Sequence, residues 1–405
     1  MKNLWKEGPY LTLFAINFTV NLGFGIADPF FSIFAVNIGA SGFSLALVFS
    51  GYALAKALFT PMIGWWSDYR GRRAFITTGL GLYSLISLCY LLTPGLPFLI
   101  FLRLLQGLAA SLVRPISLAF VGDIAPPRHE GMTMGTFDIS FYGPLAMGSI
   151  IGGIVKDAAG FSGIFFCTLA LCCVGMIFSI WLDDVDYREE EKGIAQAKIT
   201  FPTFRSSKTI IGLAVFIFAR SFGIVMLTIM LPIFMMNHLM INGVRVGIVM
   251  ASGAVVTVLL LRTMGRLSDR WKRRNLVTIG GFMAGFLILC FPITANFYHI
   301  LLLSIGIGVF SVLSMPASAA LLIEEGNLHG MGITMGIFNG ALNLGSIISP
   351  LMCGIITDLF GISTAFYMAG LVGMAGVAFF YHDTPAKPPT GRPGTTSLQD
   401  DNITL

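Results

Sequence analysis

The sequence predicts an all-α membrane protein of twelve transmembrane helices, arranged as two six-helix bundles. Three observations carry that expectation. Hydrophobic residues make up 55% of the 405 and charged residues only 11%, whereas soluble domains run at roughly 45–50% and about 25%. Twelve apolar runs approach the roughly 20 residues needed to cross a ~30 Å hydrocarbon core. The two halves of the chain also match one another in a single register. A chain this apolar cannot cover a water-facing surface, which excludes a soluble enzyme and a nucleic-acid-binding protein. Where its charges lie matters more than the net charge of +5.

The runs fall near 9–32, 43–64, 74–92, 96–122, 131–155, 161–182, 209–237, 244–264, 276–294, 298–323, 331–356 and 362–381. The first is too long for the roughly 7–15-residue core of a signal peptide and carries Asn17, Asn21 and Asp28, so it is expected to stay as a span. Residues 1–182 then form the first bundle and 209–381 the second. Between them, 183–208 is a polar cytoplasmic linker of mixed charge, and 382–405, rich in Pro, Gly and Thr, is expected to be a disordered cytoplasmic tail. With the N-terminus inside, eighteen Lys and Arg fall on cytoplasmic segments and two, Lys156 and Arg245, outside; the other five (Lys56, Arg103, Arg114, Arg220, Arg262) lie within spans. By the positive-inside rule both termini are cytoplasmic. The six Cys all sit in apolar runs without metal-ligand spacing and read as packing residues. No metal or cofactor is expected.

The internal repeat holds a constant offset of 201, from Gly64 and Gly265 to Gly160 and Gly361. Within it Ser67, Asp68, Arg72 and Arg73 meet Ser268, Asp269, Arg273 and Arg274; Asp123 meets Glu324; and Gly153 and Asp157 meet Gly354 and Asp358. Six spans per half put both halves in the same orientation. Such a parallel repeat places a solute near the bilayer midplane between the halves, with rocking as the access mechanism.

The loop after span 2, Gly64-Trp-Trp-Ser-Asp68-Tyr-Arg70-Gly71-Arg72-Arg73, and the loop after span 8, Gly265-Arg-Leu-Ser-Asp269-Arg-Trp-Lys-Arg273-Arg274, resemble the signature loop of the major facilitator superfamily. Arg103-Leu-Leu-Gln106-Gly107 resembles its second motif. Gly143-Pro144, with Gly148-Ser149-Ile-Ile-Gly152-Gly153, looks like the signature of the drug/proton antiporter branch; Ser149 replaces a Pro there, and Trp66 and Tyr69 depart from the usual first loop. The resemblance implies that the Asp68 loop faces the start of span 11 near Gly332, where a helix N-terminus attracts a carboxylate, with Asp123 completing a network through Arg70 or Arg72. Asp269, Arg273 and Glu324 repeat the arrangement against span 5 near Gly131. These loops are read as cytoplasmic latches of the outward-facing state, although topology alone explains part of Arg73 and Arg274.

Charges within spans are costly and default to functional roles. Asp28 and Arg103 lie at compatible heights near the outer ends of spans 1 and 4, making Asp28 a candidate proton carrier and Arg103 its modulator, or the two a static pair. Deeper toward the inner side, Lys56, Arg114 and Asp138 agree in height within a turn, so Asp138 is a proton-coupling candidate shared between two cations, themselves candidates for the substrate cavity, or the three form a structural network. Arg220 sits mid-span in the second half, where no carboxylate can pair it, and either faces the cavity or pairs across it. Arg262 can snorkel to the surface. Asn339 and Asn343 are substrate or packing candidates. Gly148, Gly152 and Gly153 form a close-packing face. Phe30, Phe31, Phe34, Phe137, Phe141 and Tyr142 line a cavity or face lipid.

No phosphate-binding Gly-Lys loop, His-Glu-x-x-His or Gly-x-Ser-x-Gly occurs in the sequence, which argues against ATP hydrolysis and intramembrane catalysis. The expected function is proton-coupled secondary transport by alternating access, as efflux of small, partly hydrophobic compounds. The alternative is a carrier of an organic anion or other polar metabolite. The expected partners are a small-molecule substrate, protons and the lipid bilayer, with no nucleic acid; the protein is expected to be a monomer in the bacterial inner membrane.

Overall fold

The computed structural model describes residues 8–125, 130–182 and 207–384, with the side chains of 130–132 and 269 left aside. The linker up to 206 and the tail from 385 lie outside the described residues, as does the Asp269 side chain. The described chain is helical throughout: α1 (Gly8–Asn37), α2 (Gly42–Arg70), α3 (Arg73–Leu91), α4 (Leu96–Ile124), α5 (Glu130–Phe137), α6 (Ile139–Ile180), α7 (Lys208–Ile233), α8 (Gly243–Arg270), α9 (Arg273–Leu289), α10 (Phe297–His329), α11 (Met331–Phe360) and α12 (Ile362–Asp383). Among the described residues, eleven helices are long and apolar enough to cross a membrane. In a bilayer each backbone amide must be satisfied within its own segment, and helices do this.

One of the eleven, the stretch Thr133–Ile180, doubles back on itself. At Gly160 the backbone leaves helical space, with φ 67° and ψ −161°. Before Gly160, Ser140, Gly148 and Gly152 ascend along α1 beside Asn17, Gly25 and Ile26. After it, Thr168 and Gly175 descend beside Gly23 and Thr19. Gly361, 201 residues on, has the same strained geometry, φ 82° and ψ 170°, at the break between α11 and α12. A positive φ of this size is tolerated by glycine and by few other residues.

The sequence repeat reappears in the bonds. Arg72 donates to Asp123 and Arg273 to Glu324. Arg73 donates to the carbonyl of Ile180 at 2.8 Å, and Arg274 to that of Tyr381 at 2.5 Å. Pro115 and Pro316 interrupt α4 and α10 at matching positions. Each helix end near residues 71 and 271 is thus tied to its own half.

Helix packing relies on small residues, since lipid tails give no hydrophobic drive between helices. Gly148 and Gly152 bring α6 against the backbone of α1 at Gly25 and Ile26, where an added Cβ would fall within about 3 Å of α1 atoms. Gly107 brings α4 against α2 at Tyr52 and Ala55. Aromatic rings of Phe31, Phe34, Tyr90 and Phe165 interlock between α1, α3 and α6, with centroids 4.7–6.5 Å apart.

Candidate transport site

Two cavities face the interior, one on each half. The first, about 130 Å³, gathers Asp28 from α1, Tyr52 and Lys56 from α2, Gln106 and Arg114 from α4, and Phe141 from α6. The Asp28 carboxylate is exposed within it. Lys56 and Arg103 are the cations nearest in electrostatic terms, and Asp28 makes no ion pair with either among the described residues. The expectation of two separate groups, Asp28 with Arg103 on the outer side and Lys56 with Arg114 on the inner, is corrected by this cavity: Asp28, Lys56 and Arg114 share one space. Arg114 lies flat on the Phe141 ring, 3.2 Å from its centroid, and is the cation that faces Asp138.

Arg103, the other cation acting on Asp28, is held by its own partners. Its guanidinium covers the Phe31 ring at 3.3 Å and donates to Gln106 Oε1 at 2.9 Å, which also accepts from the Tyr90 hydroxyl at 2.7 Å. It is 3% exposed, and its Nε has no partner. A cation held by aromatic faces and one amide is fixed in place by its surroundings.

The second cavity is larger, about 540 Å³, and mostly apolar, formed by α7, α8, α10 and α11 with Tyr142 reaching in from α6. Arg220 is its only charged lining residue. The two cavities are equivalents under the repeat: Tyr52, Lys56, Gln106, Ala110 and Arg114 of the first correspond to Gly253, Thr257, Ile307, Ser311 and Met315 of the second. Asn339 is exposed and Asn343 half-buried on α11, and neither lines this cavity, whereas Leu342 and Ser346 do.

At one end the halves are sealed by two seams. Ser149 and Gly153 of α6 press on Gly243 and Gly247 of α8; Gly354 of α11 presses on Gly42 and Ala46 of α2. Each seam ends in a carboxylate seated on the first turn of the facing helix. Asp157 accepts from the amides of Gly243 and Val244, both at 2.9 Å, and Asp358 accepts from that of Phe43 at 3.2 Å. These two contacts are related by the same offset of 201. Gly42 has φ +41°, and the Asp358 carboxylate fills the space a Cβ would need there. At the opposite end Asp68 pairs with Arg72 at 3.2 Å, and Arg72 with Asp123 at 2.5 Å. Gly64, Gly265 and Gly332 have open space where a Cβ would sit. Arg70 and Arg262 are exposed, and Gly71, with φ 83°, ends α2.

The sequence matches the Major Facilitator Superfamily over residues 13–225 and again over 213–400. The chain belongs to that superfamily. Among curated relatives, an uncharacterised MFS-type transporter of Methanocaldococcus jannaschii is 26% identical over 375 residues, 90% of this chain and 95% of the relative. Multidrug resistance protein 2 of Bacillus subtilis is 23% identical over 380 residues, 91% and 93% of the two chains. Among solved structures, the nucleoside transporter NupG superposes with a TM-score of 0.77 at 13% identity, covering 93% of this chain and all of that one. A bacterial homologue of the human lysosomal transporter Spinster gives 0.74 at 16% identity, covering 93% and 97%. This superfamily member is therefore a multi-pass membrane transporter and not an enzyme.

Sequence reasoning did not single out Asp157 and Asp358, which bridge to α8 and α2. They served only as register marks of the repeat, because an acid at a span end reads as a solvated loop residue. The signal that finds them is their spacing from the seam glycines: Gly153 to Asp157 repeats as Gly354 to Asp358.

Proposed function

We propose that this transporter expels small, partly hydrophobic compounds by proton-coupled alternating access. The observation that carries this reading is the pair of repeat-equivalent cavities: one charged around Asp28, the other apolar and of about 540 Å³, within the roughly 300–1,000 Å³ of small-molecule sites. In this reading the first half couples and the second binds. Relatives named as multidrug resistance proteins support the efflux direction.

We read the chain as twelve spans in two six-helix bundles, with boundaries at 1–182 and 209–381. The reversal at Gly160 and its counterpart at Gly361 support that count. With both termini cytoplasmic, as the Lys and Arg bias favours, the sealed seams lie outside and the observed state is inward-facing. Asp157 and Asp358 are then outer latches. The Asp68 and Asp269 loops take over when the inner ends close. Arg103 and Asp138 modulate the charges at Asp28 and Arg114.

Asp28 is the proton carrier in this mechanism. A carboxylate that meets cavity water, with Lys56 across the space, changes its electrostatic surroundings when the halves rock and can exchange a proton differently on the two sides. Proteoliposomes with an imposed pH gradient test it. Asp28→Asn is expected to abolish uphill transport and keep substrate exchange; full pH-driven accumulation by that variant overturns the assignment. A second reading, a carrier of organic anions, is favoured by Arg220 in a cavity without a carboxylate.

A further inference from the structure

We infer that the second-half cavity holds the anionic group of an amphipathic substrate, with Arg220 and Ser304 as its receptors. This rests on the reading of the cavity as the substrate site and names the substrate's chemistry.

Two independent polar groups in that cavity lack partners. Arg220 makes no hydrogen bond or ion pair among the described residues, and its Nε is shielded from solvent. An unpaired arginine at membrane depth is unfavourable. Ser304, on α10, has a buried Oγ without a partner. Three other hydroxyls of the cavity are already spent on helix carbonyls: Thr257 donates to Gly253 at 2.8 Å, Thr228 to Ile224 at 2.9 Å and Ser221 to Leu342 at 2.8 Å. A buried donor without an acceptor is costly. Here one cation and one hydroxyl, on two different helices, border the same space with nothing to donate to.

The rest of the lining fixes the body of the ligand. Leu227, Leu231, Val249, Met250, Ile307 and Met315 make the wall apolar, so a small inorganic anion would lose its hydration there without recovering it. A carboxylate carried on an aromatic or aliphatic body satisfies both parts. A lipophilic cation would meet Arg220 with no countercharge in this cavity; the acids, Asp28 and Asp138, stand on the first half.

The repeat gives a second, separate reason. Under the offset of 201, Ser304 corresponds to Arg103 and Thr257 to Lys56. The second half has thus lost the cations of the first at these places. It holds Arg220 instead, where the first half has Thr19. The positive charge is relocated in this half to a position on the cavity wall.

The test uses three isosteric probes, 2-naphthoate, 2-naphthamide and 2-naphthylmethylammonium, titrated calorimetrically into the purified full-length protein in detergent. The parent is expected to bind the carboxylate at least tenfold more tightly than the amide, and the ammonium most weakly. Arg220→Ala is expected to erase the carboxylate preference, lowering the carboxylate affinity far more than that of the amide, with Arg220→Lys restoring part of the preference. Ser304→Ala, a smaller change to the fold, is expected to weaken the carboxylate several-fold and the amide less. Equal binding of carboxylate and amide by the parent, an unchanged carboxylate preference in both Ala variants, or binding of none of the three overturns the inference. Because no gradient is involved, a failure of proton-driven efflux leaves this outcome readable; drug efflux without carboxylate preference rejects the inference alone.

Discussion

Removing the two seam carboxylates should tip the transporter toward the state open at the seam end. In the structure Asp157 accepts two amide protons at 2.9 Å from the first turn of α8, and Asp358 accepts one at 3.2 Å from α2. An anion at a helix N-terminus contributes about 0.3–1 kcal/mol when exposed and up to ~2 when partly buried. The Asp157 side chain is 29% exposed, with Lys156 3.6 Å away, so about 1–2 kcal/mol is appropriate there. Asp358 is exposed, with one longer bond, and about 0.3–1 kcal/mol fits. The pair then favours the sealed seams by about 1.3–3 kcal/mol, a factor of roughly 10–150 in the equilibrium between states. Only the part lost on opening counts, because a contact kept in both states shifts nothing. Spin labels placed in pairs across each end, read as distance distributions in proteoliposomes, report the outcome. Asp157→Ala with Asp358→Ala should lengthen distances across the seam end and shorten them across the other. The corresponding Asn variants keep an acceptor oxygen and should fall between. Unchanged distributions refute the latch; lengthening at both ends would show a loosened molecule instead of a rocked one.

Further outcomes follow from the same geometry. Asp68→Asn should shift the equilibrium the opposite way, by up to about thirtyfold. Its carboxylate, 58% exposed, pairs with Arg72 at 3.2 Å and contributes about 0–1 kcal/mol in the observed state, less than the up to ~2 expected where it meets a helix N-terminus; the same label pairs check this, and unmoved distances count against it. Gln106→Leu strips Tyr90 and Arg103 of their shared acceptor. Losing one neutral and one charge-assisted bond should cost about 2–4 kcal/mol, seen as a clear drop in the thermal unfolding midpoint in detergent, with Gln106→Glu retaining most of it. An unaltered midpoint in Gln106→Leu would show that the amide is dispensable.

The span positions and their pairing were legible because they depend on two robust signals, hydrophobic length and a fixed repeat. The end of α2 near Asp68 and that of α8 near Asp269 could be matched by eye, and the bonds of Arg72 to Asp123 and of Arg273 to Glu324 follow that matching. Depth within a span was not legible to better than a turn or two. Asp28 was counted from one end of its run and Lys56 from the other, so a shared cavity looked like two layers. Proline adds to the error: Pro29 follows Asp28 directly, and α1 continues past it to Asn37, five residues beyond the apolar run. Side-chain direction was out of reach altogether. Height placed Arg103 near enough to Asp28 to act on its charge, but the stacking on Phe31 and the bond to Gln106 that fix the guanidinium could not be read from spacing.

The least legible feature is the asymmetry that the repeat itself makes visible. Duplication gives two equivalent cavities, and identical halves would have identical chemistry. Lys56, Arg103 and Arg114 in the first half stand opposite Thr257, Ser304 and Met315 in the second, and Asp28 stands opposite Ile229. Every one of these changes removes a charge from the second half, while the seams, the hinge glycines at 160 and 361 and the loop pairs at 72 and 273 keep their chemistry. In the proposed mechanism, symmetric parts let either end close by equivalent contacts, and asymmetric cavities let one half hold an exchangeable charge while the other holds an apolar solute. Arg220 stands outside this pattern as the one cation on the second cavity's wall. For that reason its removal is the change most expected to alter which compounds the protein binds without altering how its two halves move.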